Sequence, residues 1–480
     1  MKKELTPEMI KEKKAREIRK WEKEKARPKK SYYIIYLIFL ISLIYVTDEI
    51  ASQIGTLMKT EIANDLMARF GNSSVGMLDI LGFIAIPFQV FSIFYKPLSD
   101  RYGRKIFLVI NTIGMSLGML IIALSKGIVT YVMGTILIFF FVPHDMQVVY
   151  IMESSPRKHR ARIYSAIKSI ATLCVMLVPL FRRLFMADAS QWRNVYFAPA
   201  LIGLVTSFIA LFFARETDAF IEARLKYLNM TDEEIEEMEK AKSAGVKQGG
   251  FVTGLKFAMT HRQLRWVFIA TALANFGAII TMHYQVVLSY GYAQNYLANG
   301  LFASLEDALN SASTGAVTKA LFLFPVGSAA AQLISGLLAD SLGRKKTSVF
   351  MTALSIGSFV LFTLGAKSAW TPYLVGLLCG TAIGAYWGTT DLEGIMIAES
   401  SPTNLRSSVI SAQFVAMGVG YVVCYGIGLP LIAVIGNTAV PVITLCIAVP
   451  GLVASLFALI TRVHETKGVD LEQVTGTEWD

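Results

Sequence analysis

The chain has 480 residues, 54% of them hydrophobic and 17% charged, with a formal net charge of +10. A soluble chain carries roughly 25% charged residues and cannot bury so much apolar side chain in one globular core, so a soluble enzyme fold is excluded. Apolar stretches of about 20 residues, each long enough to cross a hydrocarbon layer of about 30 Å as a helix, recur from end to end.

In chain order, residues 1–31 (MKKELTPEMIKEKKAREIRKWEKEKARPKKS) read as a basic cytoplasmic tail. They are too acidic for the basic region of a secretory signal, and no small-residue cleavage site follows the first apolar run. Apolar runs then begin at about 32, 75, 104, 128, 161 and 194, predicting an N-terminal six-helix bundle over 32–214. Residues 215–263 are polar and read as a cytoplasmic linker with short helices. Within TDEEIEEMEKAKSAG, Thr231 and Glu234 have capping-box spacing. Six more runs, from about 264, 316, 345, 371, 405 and 438, predict a C-terminal bundle over 264–462, followed by a tail at 463–480. Between the first two of these, the long outer segment from Gly291 to about Gly315 has room for a short surface helix.

The expected fold class is therefore an all-α membrane protein with twelve transmembrane helices in two pseudo-symmetric six-helix bundles. Twelve spans put both termini on one face. Most of the 45 lysines and arginines fall on segments of that face, which the positive-inside rule makes cytoplasmic. This rule explains the charge better than nucleic-acid binding does. The four cysteines, Cys174, Cys379, Cys424 and Cys446, lie in apolar runs without metal-ligand spacing and read as buried thiols.

The two halves carry the same landmarks in the same order. KPLSDRYGRK at 96–105 answers GLLADSLGRK at 336–345, YIMESSPRKHR answers MIAESSPTNLR, and RETD at 215–218 answers HETK at 464–467. Asp100 and Asp340 are 240 residues apart, Glu153 and Glu399 are 246 apart, and Glu216 and Glu465 are 249 apart. Three ordered pairs with so slow a drift indicate an internal repeat rather than solvated turns.

D-R-x-G-R-K between spans two and three, its partner between spans eight and nine, and twelve spans in two sixes resemble the major facilitator superfamily. E-x-x-P-x-x-x-R after spans four and ten, and ETKG after the last span, resemble its sugar-porter branch. The resemblance covers nearly the entire chain. It implies a cytoplasmic gate of Asp100, Arg101, Gly103, Arg104, Glu153, Arg160 and Glu216 in the first half, with Asp340, Gly343, Arg344, Glu399, Arg406 and Glu465 in the second.

Asp100 and Asp340 end their spans, where a carboxylate can meet the positive end of a neighbouring helix or a loop arginine. Gly103 and Gly343 allow a tight turn, and the arginines can reach the glutamates across the two bundles, in pairs that close the inner face and break when it opens. The plainer alternative is that the arginines only enforce topology and the carboxylates only neutralise them. Lys96 stands where the family has the close-packing glycine that appears in the second half as Gly336.

The family's substrate path is lined by spans one, four, seven and ten, which here carry the intramembrane polar groups. These are Asp48 and Glu49, then His144 and Asp145, then His283 and Gln285 toward the outer end of span seven, then Tyr386, Trp387, Asp391 and Glu393. Lys168 joins them from span five. Acids at that depth should face a wet cavity or a partner, because an ionised side chain against lipid costs several kcal/mol. Asp145 and Asp391 each precede a loop glutamate by eight residues, which puts them about 12 Å along the helix from its cytoplasmic end. Asp79 reads as an exposed acid at a span edge.

The family's sugar-contacting glutamines fall on Leu273, Ala274 and Lys168, and its span-four arginine falls on Met133, so the resemblance stops short of the sugar contacts. Its span-one acid falls on Asp48, a candidate proton site. His144 with Asp145 also resembles the pair of a metal phosphohydrolase, but further ligands are not evident and no metal is expected.

The expected function is a secondary active transporter moving a small polar, sugar-like or related solute across the cytoplasmic membrane by alternating access, coupled to protons. The alternatives are a proton-coupled organic cation or drug antiporter and, in a different class, a transporter-like nutrient sensor. The expected partners are a small-molecule substrate, a coupling proton and the lipid bilayer around a monomer, without cofactor, enzyme activity or nucleic acid.

Overall fold

The structure is a computed structural model that describes residues 7–26, 33–85, 87–88, 99–141, 150, 154, 167, 170–231, 233–234, 237, 251–368, 370–402 and 405–468. All regular structure among them is helical. The longer helices are α1 (Pro7–Ala26), α2 (Tyr33–Leu57), α3 (Lys59–Leu66), α4 (Ser74–Gly82), α5 (Arg104–Ala123), α6 (Ile128–Phe141), α7 (Leu177–Phe185), α8 (Asn194–Phe213) and α9 (Asp218–Asn229). The second half adds α10 (Phe251–Thr260), α11 (Arg262–Ala274), α12 (Ala278–Ala298), α13 (Leu305–Ala312), α14 (Thr318–Leu342), α15 (Arg344–Lys367), α16 (Pro372–Glu399), α17 (Arg406–Val423), α18 (Leu429–Ile435) and α19 (Val440–Thr461).

Eight helical segments among the described residues are long and apolar enough to cross a membrane, and α6 is a shorter apolar helix. Those eight coincide with the runs expected from about 32, 104, 194, 264, 316, 345, 405 and 438. The tenth expected span is α16, whose 28 residues give ample length but also carry Asp391, Glu393 and Glu399. The spans expected from about 75 and 161 run partly through residues outside the described set. Two local expectations hold. Thr231 and Glu234 form the reciprocal capping box, at 2.8 and 3.3 Å, and the long outer segment holds α13, with the Ser304 side chain accepting from the Asp307 N–H at 3.1 Å.

Packing divides the chain into two compact units. One comprises Met1–Ser52, Ile84–Ala171 and Tyr196–Ala244; the other comprises Gln53–Phe83, Thr172–Val195 and Gly245–Asp480. This division does not follow the two halves of the repeat, because Gln53–Phe83 and Thr172–Val195 pack with the C-terminal helices.

In the first unit, α5 and α6 approach closely where Gly118 and Gly134 face each other's backbone. The N-terminal segment, expected as a tail, is a helix seated on the linker helix α9. Trp21 is buried with Phe220, Ile221 and Leu228, and Arg224 donates to Glu17 at 2.8 Å.

In the second unit, α16 lies against α14 through Gly376, Gly380, Gly384 and Gly388, one per turn. A Cβ at the first three would strike backbone atoms of Ala320, Phe324 and Ser328. With no hydrophobic drive between helices in lipid, such small-residue stripes provide packing by letting backbones approach. Gly336 makes no such contact, since a Cβ there would meet open space, so the close packing inferred for that motif position is absent in the second half. Leu264, Phe268, Met396, Val409 and Leu459 form a core between α11, α16, α17 and α19. Cys379 and Cys424 are buried as expected and Cys174 is half-buried, but Cys446 is exposed, which a thiol in a lipid-facing position tolerates.

Candidate functional site

The two G-R-K turns are built alike. Gly103 and Gly343 have φ of 117° and 101° and stand immediately before α5 and α15. Such a φ is costly for a residue with a Cβ, and a Cβ would also strike Glu216 at one turn and Glu465 at the other. Glu216 accepts from the backbone N–H of Arg104 and Lys105 at 3.0 and 3.1 Å. Glu465 accepts from those of Arg344 and Lys345 at 2.7 and 3.2 Å. Each carboxylate therefore caps the positive amino end of a helix, where free N–H groups and the macrodipole favour an anion.

Arg344 also donates to Glu399 at 3.1 Å and to the Ala339 carbonyl at 2.9 Å, and Thr466 donates to Glu399 at 2.5 Å. Arg104 donates to Ser99 at 2.9 Å. Asp340, with a side chain 84% exposed, meets the loop arginine Arg344 at 3.4 Å, while the acid at the start of α15 is Glu465. Glu153 and Arg160 lie outside the described residues, as do the side chains of Asp100, Arg101 and Arg406.

At the opposite ends of the helices, the second unit holds a buried ionic network. Arg182 on α7 has no exposed surface. It donates to Glu61 at 2.5 Å, to the carbonyls of Leu57 and Ser313 at 2.9 and 3.0 Å, and to the Thr318 hydroxyl at 3.2 Å. The Ser313 hydroxyl also donates to Glu61. Gln285 joins this set, donating to Glu61 and accepting from the Thr60 N–H and hydroxyl, at 3.1, 2.9 and 2.9 Å.

One helical turn away, Lys59 pairs with Asp79 and donates to the Met282 carbonyl at 2.9 Å, while His283 lies 2.7 Å from the same Asp79 carboxylate. Charges so deep persist only when paired and hydrogen-bonded. Asp79 was expected as an exposed edge acid. Its side chain is 12% exposed, because α3 and α12 close over it.

The interior of the C-terminal half has a different character. Glu393 on α16 is completely buried, and neither carboxylate oxygen has a hydrogen-bond partner among the described residues. The buried Thr271 hydroxyl on α11 is the polar side chain beside it, and it too has no hydrogen-bond partner among the described residues. Tyr386, one and a half to two turns earlier on the same helix, donates to Asn275 at 2.9 Å, and Asn275 in turn holds the Thr271 carbonyl at 2.8 Å. Trp387 meets the Tyr386 ring edge-on at 5.1 Å.

Among the other sequence candidates, Asp48 is fully buried and Glu49 half-buried on α2, and Asp391 is exposed. His283 and Gln285 belong to the ionic network just described. His144, Asp145 and Lys168 lie outside the described residues. Sequence reading missed Lys59, Glu61, Arg182, Thr271 and Asn275. The available signal was weak: MKTEIANDL and FRRLF resemble ordinary outer loop charges, and only two adjacent arginines inside an apolar helix hinted at burial.

Long apolar helices, a twofold-repeated carboxylate-capped turn and buried charge inside the helical layer define a multi-pass membrane protein of a transport class. The sequence profile of the Major Facilitator Superfamily matches residues 32–319 and 290–479, and the chain belongs to that family of transporters. It is therefore a secondary transporter rather than an enzyme, and its loop motifs resemble the sugar-porter branch.

The glucose transporter GlcP of Staphylococcus epidermidis is 22% identical over 395 residues, covering 79% of this chain and 83% of that one. The alpha-ketoglutarate permease of Escherichia coli is 22% identical over 365 residues, covering 72% and 75%. In fold, the chain is similar to the inward-open xylose transporter XylE of E. coli, with a TM-score of 0.61 at 16% identity over 92% of this chain and 99% of that one.

Proposed function

We propose that the protein is a proton-coupled transporter of a small polar organic solute, working by alternating access in the cytoplasmic membrane with both termini inside. The observation that carries this reading is Glu393, an acid buried on span ten with no hydrogen-bond partner among the described residues. An ionised carboxylate in that position costs several kcal/mol, so the site calls for a proton or for a donor group supplied by a solute. Tyr386, Asn275 and Thr271 offer hydroxyl and amide groups beside it, suited to a hydroxyl-bearing solute. Asp48 is a second buried acid, on span one.

The similarity to a glucose transporter and to the fold of a D-xylose-proton symporter supports a sugar-like solute and proton coupling. The alpha-ketoglutarate permease keeps other metabolites in view, as do Leu273, Ala274 and Lys168 at the family's sugar-contacting positions. In the cycle, the capped G-R-K turns hold the cytoplasmic ends, and the Arg182 and Asp79 networks seal the outer ends until the outward-facing state breaks them.

A second reading is a proton-coupled antiporter of organic cations. It is favoured by the same unpaired acid next to Tyr386 and Trp387, since aromatic faces attract cations. The test is uptake into proteoliposomes under an imposed pH gradient, with sugars, polyols and organic cations as solutes. Uptake of a neutral solute driven by external acid and abolished by Glu393→Gln is expected. Solute uptake unchanged when the gradient is collapsed would refute proton coupling, and gradient-driven cation efflux alone would favour the second reading.

A further inference from the structure

The N-terminal helix is unexplained by transport. Its docked side is accounted for: Trp21 is buried against α9, Glu17 receives Arg224, and Lys25 pairs with Glu222 at 3.3 Å. At 3.6 residues per turn, Arg16, Arg19 and Lys23 fall together on the opposite side. All three are exposed, as is Lys20 at their border; Glu12 is an exposed acid on that side, where the sequence also places Glu8. The helix is thus pinned by one face and presents a predominantly cationic stripe on the other.

Its location limits what that stripe can meet. Six residues, RPKKSY, separate Ala26 from the start of the first membrane span at Tyr33. Even fully extended, they reach about 24 Å. Three of them, Arg27, Lys29 and Lys30, add charge at the point of membrane entry. A tether this short lets the basic cluster approach the bilayer surface, whose potential decays over a Debye length of about 10 Å.

We propose that α1 is a lipid-sensing helix that binds acidic phospholipid headgroups through Arg16, Arg19 and Lys23 while Trp21 keeps its other face on α9. The site is multivalent and electrostatic, so it selects charge rather than a particular headgroup. It also has a route to the transport machinery. Thr217, which caps α9 by accepting from the Phe220 N–H at 3.3 Å, directly follows Glu216, the acid that caps α5. The Arg215 guanidinium between these segments donates to the Glu24 carbonyl of α1 at 3.1 Å. Lipid engagement of α1 thereby bears on the same turn that holds the G-R-K helix start.

The test is hydrogen–deuterium exchange of the full-length protein in nanodiscs of phosphatidylcholine alone and of phosphatidylcholine mixed with phosphatidylglycerol, at low and high salt. Slower exchange of the α1 amides is expected in the acidic discs, with the difference erased by salt. Each basic residue near such a surface contributes about fivefold in binding, so Arg16→Gln, Arg19→Gln and Lys23→Gln together should cut the lipid-dependent protection by roughly a hundredfold. Replacing the two arginines by lysine should preserve it, which separates charge from fold. Equal exchange in the two compositions, or lipid dependence surviving in the triple glutamine variant, would overturn the proposal. So would salt-sensitive protection that the triple variant abolishes equally in both compositions, since that result would identify an acidic protein segment as the partner.

Discussion

Replacing Arg182 by methionine removes the cation of the buried ionic network while keeping an unbranched apolar stem. The guanidinium is 0% exposed and its Glu61 partner 1%, so Glu61 would be left with Gln285 and the Ser313 hydroxyl as its donors among the described residues. Breaking one side of a buried ion pair costs about 3–5 kcal/mol, most of it the burial of an uncompensated charge. The carbonyls of Leu57 and Ser313 also lose their donor. Adding Glu61→Gln should recover most of the loss, because a neutral amide carries no such burial cost.

A double-mutant cycle on thermal or denaturant unfolding in detergent measures this, and a coupling of roughly 2–3 kcal/mol between the two positions is expected. If Arg182→Met unfolds like the wild type, or if the two substitutions add independently, the buried-pair argument is wrong. Transport adds a second reading: weakening the outer seal in the double variant should shift the population toward outward-facing states, measurable as faster labelling of a thiol introduced at Ser313.

Asp79→Asn should destabilise by about 2–4 kcal/mol, since Lys59 would lose its carboxylate partner inside the structure; wild-type unfolding would contradict this. Glu393→Gln should leave stability equal to or about 1–2 kcal/mol above the wild type while removing gradient-driven uptake, because it deletes a buried charge with no described hydrogen bond. A less stable protein with intact uptake would reverse that assignment. Gly380→Val should push α16 off the Phe324 backbone and lower folded yield, with overpacking of about 1–3 kcal/mol or more, whereas Gly336→Ala, facing open space, should be nearly silent. Gly343→Ala should cost about 1–3 kcal/mol from its φ of 101° and from displacing Glu465; retention of wild-type stability would show that the turn relaxes freely.

Much of this architecture is legible in the chain because hydropathy and short spacing are local properties. A run such as 104–123 must be a buried or spanning helix whatever surrounds it. Gly103 and Gly343 announce tight turns, and Thr231 with Glu234 announces a cap that forms as read. The repeat also marks Glu216 and Glu465 as equivalent before either has a partner. The partner itself is not legible in spacing: the carboxylates cap the backbone of the adjacent turn, which presents free N–H groups and a helix dipole at short range.

Burial of individual charges is harder still. Asp391 and Glu393 look alike in TDLEGIM, yet two residues of helical rotation, about 200°, expose one and bury the other. Arg182 and Glu61 meet although 121 positions apart in the chain, and His283 and Asp79 although 204 apart. Composition and periodicity over about twenty residues settle where long apolar helices form and where tight turns break them. Which buried charges pair, which acid is left without a hydrogen bond, and that a basic tail becomes a docked helix are products of helix packing, because a charge takes its energy from neighbours brought by distant parts of the chain.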